Sequence, residues 1–252
     1  SYLGYEVGIH APGHRSKAFG RQAAHHLLLA HGLALRVLQQ NSPQSKNGLV
    51  LNFTPCYPLN ADPADVAAAK LADEYFNQWY IKPVMDGCYP DSFDLLSAEE
   101  KPVIVAGDFD IISTPMGFLG VNFYTRAVCQ ASADEGFQQI DMVDAPKTDI
   151  GWEIYPAAFT DLLCSLHQQY QLPPLYITEN GAAAADQLVD GVVMDPLRLG
   201  YYQQHLLAVD QAIRQGVRVD GYFAWSLMDN FEWAEGYLKR FGIVYVDYAN
   251  QQ

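Results

Sequence analysis

The chain has 252 residues, half of them apolar, and a net charge of −14 from 15 Lys and Arg against 29 Asp and Glu. This length can bury a large core in one or two domains, whereas the acidic balance argues against a nucleic-acid partner, which needs a basic surface. No apolar run reaches the roughly 18 residues that would suggest a membrane span. The four cysteines are far apart without a CxxC pair, which favours reduced thiols in a cytoplasmic protein over a zinc site or a disulfide framework.

The first half of the chain contains two helical patterns and one strand pattern. Residues 16–40 are rich in Ala, Leu and His with few breakers, which predicts a helix. Residues 49–53 (Leu-Val-Leu-Asn-Phe) predict a strand that ends at a Thr-Pro turn. Asp62 is followed by Pro63, an N-cap and a proline at the first helical position, which predicts a helix that runs to about Ile81.

The second half continues the alternation. Residues 118–124 predict a strand, residues 153–170 a helix, and residues 175–180 the next strand. Asp195 and Pro196 repeat the helix start, and Gly216 ends that helix before a last strand over residues 219–226. Apolar residues spaced by three and four predict a buried stripe along this helix. The stripe consists of Leu199, Tyr202, Leu206, Val209 and Ile213.

Strands that alternate with helices predict a parallel sheet with helices outside it. Only four good strands are found, whereas a closed (β/α)₈ barrel needs eight. Four parallel strands would leave two open sheet edges, which soluble proteins avoid. The sequence therefore indicates a half-barrel or one piece of a larger fold, whose edges are covered by a partner or in a homo-oligomer.

Two motifs carry the chemistry. In residues 176–181 (Tyr-Ile-Thr-Glu-Asn-Gly) a β-branched run brings the carboxylate of Glu179 to a strand end, and Asn-Gly then turns the chain away. In residues 221–233 two Trp, two Phe and two acids follow a strand, a composition that suits a carbohydrate. Taken alone, the first motif also fits a solvated turn, and the second a buried aromatic cluster in which Asp229 or Glu232 caps a turn.

Together these motifs resemble the family 1 glycoside hydrolases, the retaining β-glucosidases and their relatives. Further matches cover residues 8–13, 120–124, 151–156 and 239–248, so the resemblance runs along the whole chain. It implies a (β/α)₈ TIM barrel, with residues 1–252 as the C-terminal half of one domain and about strands five to eight. The family's acid/base glutamate lies in an Asn-Glu-Pro motif that this sequence lacks, so we expect the N-terminal half of the barrel as a partner.

The resemblance implies the roles of two residues directly. Glu179 is the expected nucleophile at the end of strand seven, and Tyr124 is expected to donate its phenol to Glu179 and keep it ionised. Retaining cleavage needs a second carboxyl group roughly 5–5.5 Å away, which the acid/base glutamate would supply. The expected reaction is hydrolysis of terminal β-glucosides by double displacement.

The resemblance also implies a set of substrate-binding residues. Trp225 would form the floor of the sugar site, Glu232 would bind two hydroxyls, and Trp233 a neighbouring hydroxyl. The complete set is Asn122, Trp152, Trp225, Glu232, Trp233 and Phe241. The histidines have no metal spacing, so neither a cofactor nor a metal is expected, and the expected substrate is a β-glucoside or a cello-oligosaccharide.

Several readings stay open beside this one. Relatives that take 6-phosphorylated sugars place Ser at the position of Glu232, Tyr at that of Phe241, and a Lys that matches Lys239. A carboxylate at 232 would repel a phosphate, which favours a non-phosphorylated glucoside, with β-galactoside or β-fucoside as close alternatives. A sugar-binding half-barrel without hydrolytic activity and an assembly fragment are the readings from other functional classes.

Overall fold

The computed structural model describes residues 1–251, and its elements alternate along the chain. The helices are α1 (Lys17–Asn41), α2 (Pro63–Asp73), α3 (Trp79–Asp86), α4 (Asp108–Ile112), α5 (Ala157–Gln169) and α6 (Pro196–Arg214). The strands are β1 (Gly48–Phe53), β2 (Cys56–Pro58), β3 (Phe118–Phe123), β4 (Ala127–Ser132), β5 (Gly136–Gln139), β6 (Leu175–Asn180), β7 (Leu188–Val189), β8 (Val192–Val193) and β9 (Val219–Ala224). None of the helices in this described part is long and apolar enough to cross a membrane.

The main sheet contains the four strands that the sequence predicts. Its order is β1-β3-β6-β9 and all pairings are parallel. The prediction that these strands lie side by side in parallel is therefore confirmed. Because the strands run in one direction, their carboxyl ends lie together at one end of the sheet. There Asn122 on β3 pairs with Glu179 on β6, after a register shift at Val121.

The sheet is open. Within residues 1–251 its outer strands β1 and β9 have no further neighbour, so the chain does not close the barrel that the family resemblance implies. The (β/α)₈ expectation therefore holds only in part for this chain, because four parallel strands cannot curl far enough to pair their own edges.

The main core lies between the sheet and helices α5 and α6. Phe53, Val121, Phe123 and Ile177 point from the strands into this layer, where each is at most 1% exposed. The rings of Phe123 and Phe159 stack with centroids 4.4 Å apart, which fixes α5 against β3. The core thus holds the strand ends that carry Tyr124 and Glu179.

A second, smaller sheet is absent from the sequence prediction. Strand β2 pairs in parallel with β4, and β4 pairs antiparallel with β5. Ala69 and Ala72 of α2 pack on this sheet beside Cys129. Its strands have three to six residues, too short to show a clear alternation of apolar and polar positions.

Two predicted helices differ in their bounds. The helix predicted from Pro63 to about Ile81 is divided by a π-helical turn, Glu74–Gln78, into α2 and α3. The helix predicted from residue 153 begins at Ala157, because Pro156 restricts the residue before it and the Glu153 side chain is engaged by Arg126.

The apolar stripe predicted for α6 is wrong in most of its length. Leu199, Leu206 and Ile213 are 62%, 47% and 46% exposed. The buried face instead carries polar and aromatic groups together with two alanines, namely Arg198, Tyr201, His205, Ala208 and Ala212, beside Val209. Polar side chains can therefore occupy the buried face when most of their hydrogen bonds are made. Nε2 of His205 is the exception on this face within residues 1–251, since it has no partner.

This chain on its own is expected to associate in solution. Val50 on β1 and Phe223 on β9 are 43% and 57% exposed, and both strands present unpaired backbone groups along one side. Such edges pair with other chains. Light scattering of the purified chain should show oligomers or aggregates, and a stable, well-folded monomer of 28.1 kDa would contradict the expectation.

Candidate active site

Tyr124 and Glu179 are in contact at the carboxyl ends of the strands of the main sheet. The Tyr124 hydroxyl donates to Oε2 of Glu179 at 2.7 Å. Burial, followed by the hydrogen bond to Glu179 and its charge, raises the pKa of Tyr124 well above its ordinary value. The phenol therefore stays protonated at physiological pH and acts as a fixed donor to the carboxylate.

Asn122 lies directly beside this pair. The Thr178 hydroxyl donates to Oδ1 of Asn122 at 2.6 Å, and Thr178 precedes Glu179 in the chain. The register shift between β3 and β6 falls at the same place, and such bulges redirect side chains next to sites. The amide of Asn122 is thus oriented by the strand that carries Glu179, with its Nδ2 left for other partners.

Two aromatic side chains, Trp152 and Phe241, pack against the phenol of Tyr124. The Trp152 centroid lies 5.3 Å from that of Tyr124, and Phe241 lies 6.1 Å from Tyr124 and 6.0 Å from Trp152. Phe241 is 3% exposed. The cluster gives the Tyr124–Glu179 pair an apolar wall, which strengthens the hydrogen bond between them.

An ion pair outside the predicted set ties Trp152 to Tyr124. Arg126 donates Nε and Nη2 to the two carboxylate oxygens of Glu153, both at 2.9 Å, and its guanidinium lies 3.5 Å from the Tyr155 ring centroid. Arg126 follows Tyr124 by two residues and Glu153 follows Trp152. A bidentate pair at this point fixes the two segments to each other.

Glu232 and Trp225 follow β9. Burial, then the charges of Glu179 and Glu235, raises the pKa of Glu232 above its ordinary value. Trp225 is positioned by its backbone, whose N–H donates to the Asn180 carbonyl at 2.9 Å. A side chain at Gly181 would come within 1.8 Å of the Trp225 carbonyl, so only glycine permits this approach.

Trp233 lies apart from the aromatic cluster. Its side chain is 70% exposed, its backbone has a φ of 41°, and its ring stacks on His10 with centroids 5.3 Å apart. Both residues line a cleft of about 1390 Å³. Tyr124 and Trp152 line the same cleft, and Glu179 is hydrogen-bonded to the phenol of Tyr124.

Asp229 has the supporting role that its position after the strand suggests. Its carboxylate is buried, pairs with Arg240, and accepts from the backbone N–H groups of Gly242 at 3.0 Å and Val246 at 3.1 Å. This anchors the segment that carries Phe241. Within residues 1–251 no group of three or more His, Cys, Asp or Glu is placed to hold a metal ion.

Substituting Glu232 should change how stability depends on pH. The pKa of Glu232 is raised in the folded chain, so its stabilising contribution is present below the unfolded value of about 4.5 and is lost as the pH rises through the folded value. We expect Glu232→Gln to raise the free energy of unfolding at pH 7 and to have less effect below pH 4.5. Urea unfolding of both proteins at two pH values measures this, and an equal difference at both would contradict it.

Comparisons with known proteins agree on one family. The profile of glycosyl hydrolase family 1 matches residues 1–252. A β-glucosidase from Agrobacterium sp. is 42% identical over 99% of this chain, and a bifunctional β-D-glucosidase/β-D-fucosidase from Bifidobacterium breve is 37% identical over all of it. The crystal structure of a β-glucosidase from Exiguobacterium marinum overlays with a TM-score of 0.94 at 42% identity.

The alignments cover this chain almost fully but its relatives only in part. The chain is covered almost completely, yet it spans only 56% and 58% of the two curated relatives and 58% of the Exiguobacterium marinum chain. The relatives are TIM barrels, of which this chain corresponds to about the C-terminal half. On this evidence the chain belongs to glycosyl hydrolase family 1.

Proposed function

We propose that this chain forms the C-terminal half of a retaining β-glucosidase with Glu179 as nucleophile. The observation that carries the proposal is the 2.7 Å hydrogen bond from Tyr124 to Glu179 at the carboxyl ends of two adjacent parallel strands. Barrel enzymes place their chemistry at that face, and a carboxylate with a fixed donor on one oxygen keeps the other free for attack.

The reaction then runs in two displacements. Glu179 attacks the anomeric carbon, the bond to the leaving oxygen breaks, and a carboxyl group from the missing half protonates that oxygen. The covalent glycosyl-enzyme is next hydrolysed by water, which the same second carboxylate deprotonates. The Tyr124 phenol orients Glu179 for the first step. In the second step it stays hydrogen-bonded to Glu179 while that carboxylate leaves the anomeric carbon.

The second half of the enzyme is the partner that the proposal requires. Residues 1–252 would supply strands five to eight of one barrel domain, and the rest would pair with the open edges at β1 and β9 and bring the acid/base glutamate. We call this assembly the complete enzyme, and propose the cytoplasm as its location because all four cysteines are free. The second candidate function is that of a sugar-binding half-barrel without activity, or of a piece of an assembly.

The proposed sugar site combines the residues around Glu179. Trp225 would pack on the sugar ring, Glu232 would accept from two hydroxyls, and Trp233 would donate its indole N–H to a neighbouring hydroxyl. Asn122 would contact the sugar next to the nucleophile through its Nδ2. Trp152 and Phe241 would form the wall of the site toward the aglycone and the glycone.

The charges around Lys239 favour a sugar without phosphate. The Lys239 ammonium donates to the carbonyl and a carboxylate oxygen of Asp149, at 2.6 and 3.0 Å. The positive charge of Lys239 is therefore already paired with Asp149, and Glu232 would repel a phosphate dianion. The Bifidobacterium breve relative is described as acting on both β-D-glucosides and β-D-fucosides, which makes β-fucoside, with β-galactoside, the second candidate substrate.

The proposal is tested by reconstitution. We expect the chain alone to be inactive on an aryl β-glucoside and the complete enzyme to hydrolyse it, with the β-anomer of glucose appearing first by NMR because two inversions give retention. A parallel assay with the 6-phosphate of the same glucoside should give little turnover. An inactive complete enzyme, or initial release of the α-anomer, would overturn the proposal.

Glu232→Ser should weaken glucoside turnover while the nucleophile stays in place. The variant removes charged acceptors for two hydroxyls, so we expect kcat/KM to fall about 10²-fold, with kcat affected if these contacts tighten in the transition state. Turnover of the 6-phosphate should gain little, because Asp149 still holds Lys239. Steady-state kinetics on both substrates measure this, and an unchanged kcat/KM for the glucoside would contradict it.

A further inference from the structure

Asn180, the residue after Glu179, is fully buried and connects three elements. Its Nδ2 donates to the Phe123 carbonyl on β3 at 2.8 Å and to the Tyr201 hydroxyl on α6 at 3.0 Å. Its Oδ1 accepts from the Tyr222 hydroxyl on β9 at 2.7 Å. Sequence patterns suggested only a turn here, whereas the side chain uses both donors and one acceptor position inside the core.

Tyr201 extends this connection to the peptide group on the other side of Tyr124. Its hydroxyl donates to the Tyr124 carbonyl at 3.2 Å, and its ring stacks on His205 with centroids 3.7 Å apart. His205 donates Nδ1–H to the Tyr201 carbonyl at 2.8 Å, and burial lowers its pKa to about 4, so the imidazole stays neutral. Tyr201 is 1% exposed and thus held on all sides.

The two peptide carbonyls that flank the Tyr124 side chain are therefore held by one group of side chains. Asn180 holds the Phe123 carbonyl directly, and Tyr201 holds the carbonyl of Tyr124 itself. Asn180 is also joined covalently to Glu179. The buried amide of Asn180 is therefore connected to both residues of the Tyr124–Glu179 hydrogen bond.

We propose that Asn180 and Tyr201 are positioning residues that set the geometry of the Tyr124–Glu179 pair and, through it, the orientation of the attacking carboxylate. This rests on the proposed function, in which Glu179 attacks the anomeric carbon. Neither residue touches the sugar in this mechanism. Small displacements of a reacting group are enough to slow an enzyme, about 100-fold for 1 Å.

Tyr201→Phe is the sharpest first test, because it removes one hydroxyl and leaves the ring packed on His205. In the complete enzyme we expect kcat on an aryl β-glucoside to fall about 10- to 100-fold, with KM changed by less than about 3-fold. Tyr170→Phe is the control: its hydroxyl is also hydrogen-bonded, to Gln78, but Tyr170 is only partly buried and lies at the end of α5 away from the pair. It should keep kcat within about 2-fold.

A second background separates positioning from general support of the fold. In Glu179→Gly enzyme supplied with azide, the attacking anion is no longer a side chain that Tyr124 must orient. Adding Tyr201→Phe there should change the azide-dependent rate by less than about 3-fold, since the two substitutions act on one unit and are not additive. An equal loss in both backgrounds, or no loss of kcat in the parent enzyme, would overturn the proposal.

If Tyr201→Phe does not fold, Tyr222→Phe gives the same comparison from β9, because it removes the third hydrogen bond of Asn180. A loss of kcat confined to the enzyme that retains Glu179 supports the proposal, and an equal loss in both backgrounds overturns it. Failure of the proposed function is distinct: the parent enzyme would then be inactive, or azide would restore nothing to Glu179→Gly before Tyr201 is changed.

Discussion

Replacing Glu179 by glycine in the complete enzyme should reduce turnover of aryl β-glucosides by about 10⁴-fold or more, because no covalent glycosyl-enzyme can form. Folding should be little affected by comparison. The Glu179 side chain is only partly buried, and within residues 1–251 its one side-chain hydrogen bond comes from Tyr124. Steady-state rates, measured beside the thermal unfolding of the same preparation, separate the two effects.

Azide or formate should restore turnover to the glycine variant. The space vacated by the carboxylate admits a small anion, which attacks the anomeric carbon from the face that Glu179 uses. The azide product should be the α-glycosyl azide, inverted relative to the substrate, because the reaction then stops after one displacement. NMR of the isolated product determines its configuration.

Glu99 provides the matched control for this experiment. It is an exposed glutamate in a turn, and it belongs to neither the main sheet nor the candidate site. Glu99→Gly should therefore keep near-normal rates and show no response to azide. Near-normal activity of Glu179→Gly, or formation of the β-azide, would require another nucleophile.

The strands of the main sheet were the most predictable part of the fold. β6 has the predicted bounds, residues 175–180, and β1, β3 and β9 differ from prediction by one or two residues at their ends. Each is a short run rich in apolar residues, so its sequence shows the pattern without help from distant residues. Full burial is reached only at some positions of β1, β3 and β6, and at none of β9.

Helix α6 shows why side-chain burial was harder to predict than the helix itself. The Asp195-Pro196 start was correct, and the Asp195 carboxylate accepts from the Arg198 backbone at 3.0 Å. Periodicity then assigned Leu199 and Leu206 to the core, whereas Arg198, Tyr201 and His205 occupy it. Tyr201 bonds to Asn180 of β6, Arg198 to the Arg240 carbonyl, and His205 packs on Phe123 of β3. Such distant partners are not revealed by a local pattern.

The candidate site divides in the same way. Glu179 and Tyr124 came from motif resemblance, and the structure places them in contact although 54 residues separate them in the chain. Asn180 and Glu153 stood in matched motifs without a proposed function, and Tyr201 and Arg126 carried no motif signal. Their roles follow from contacts across the sheet, which exist only once β3, β6 and α6 have come together.

Arg198 is where we expect the largest loss of stability from a single substitution. Its guanidinium donates to both oxygens of Asp186, at 2.8 and 3.0 Å, to Asp195, and to the carbonyls of Ala182 at 3.0 Å and Arg240 at 2.6 Å. The side chains of Arg198 and Asp186 are 3% and 4% exposed. Arg198→Ala would leave the Asp186 charge buried without its cation, at a cost of about 3–5 kcal/mol.

The effect should reach the candidate site. The Arg240 carbonyl that Arg198 holds precedes Phe241, and Ala182 follows the Glu179-Asn180-Gly181 turn. Arg198→Lys should recover little, because an ammonium cannot reproduce the bidentate contact with Asp186. Glucoside turnover by the complete enzyme should therefore fall in both variants, even where unfolding is not complete.

Arg214 on the same helix is the matched control for this prediction. It also pairs with an aspartate, Asp210 at 2.7 Å, but its side chain is 76% exposed. An exposed pair contributes about 0–1 kcal/mol, so Arg214→Ala should shift the urea midpoint only slightly. Two substitutions that each delete an arginine from an ion pair on α6 would then differ several-fold in cost because Arg198 is buried and makes more hydrogen bonds. Similar midpoints for both variants would show that Arg198 does not stabilise the fold as its contacts indicate.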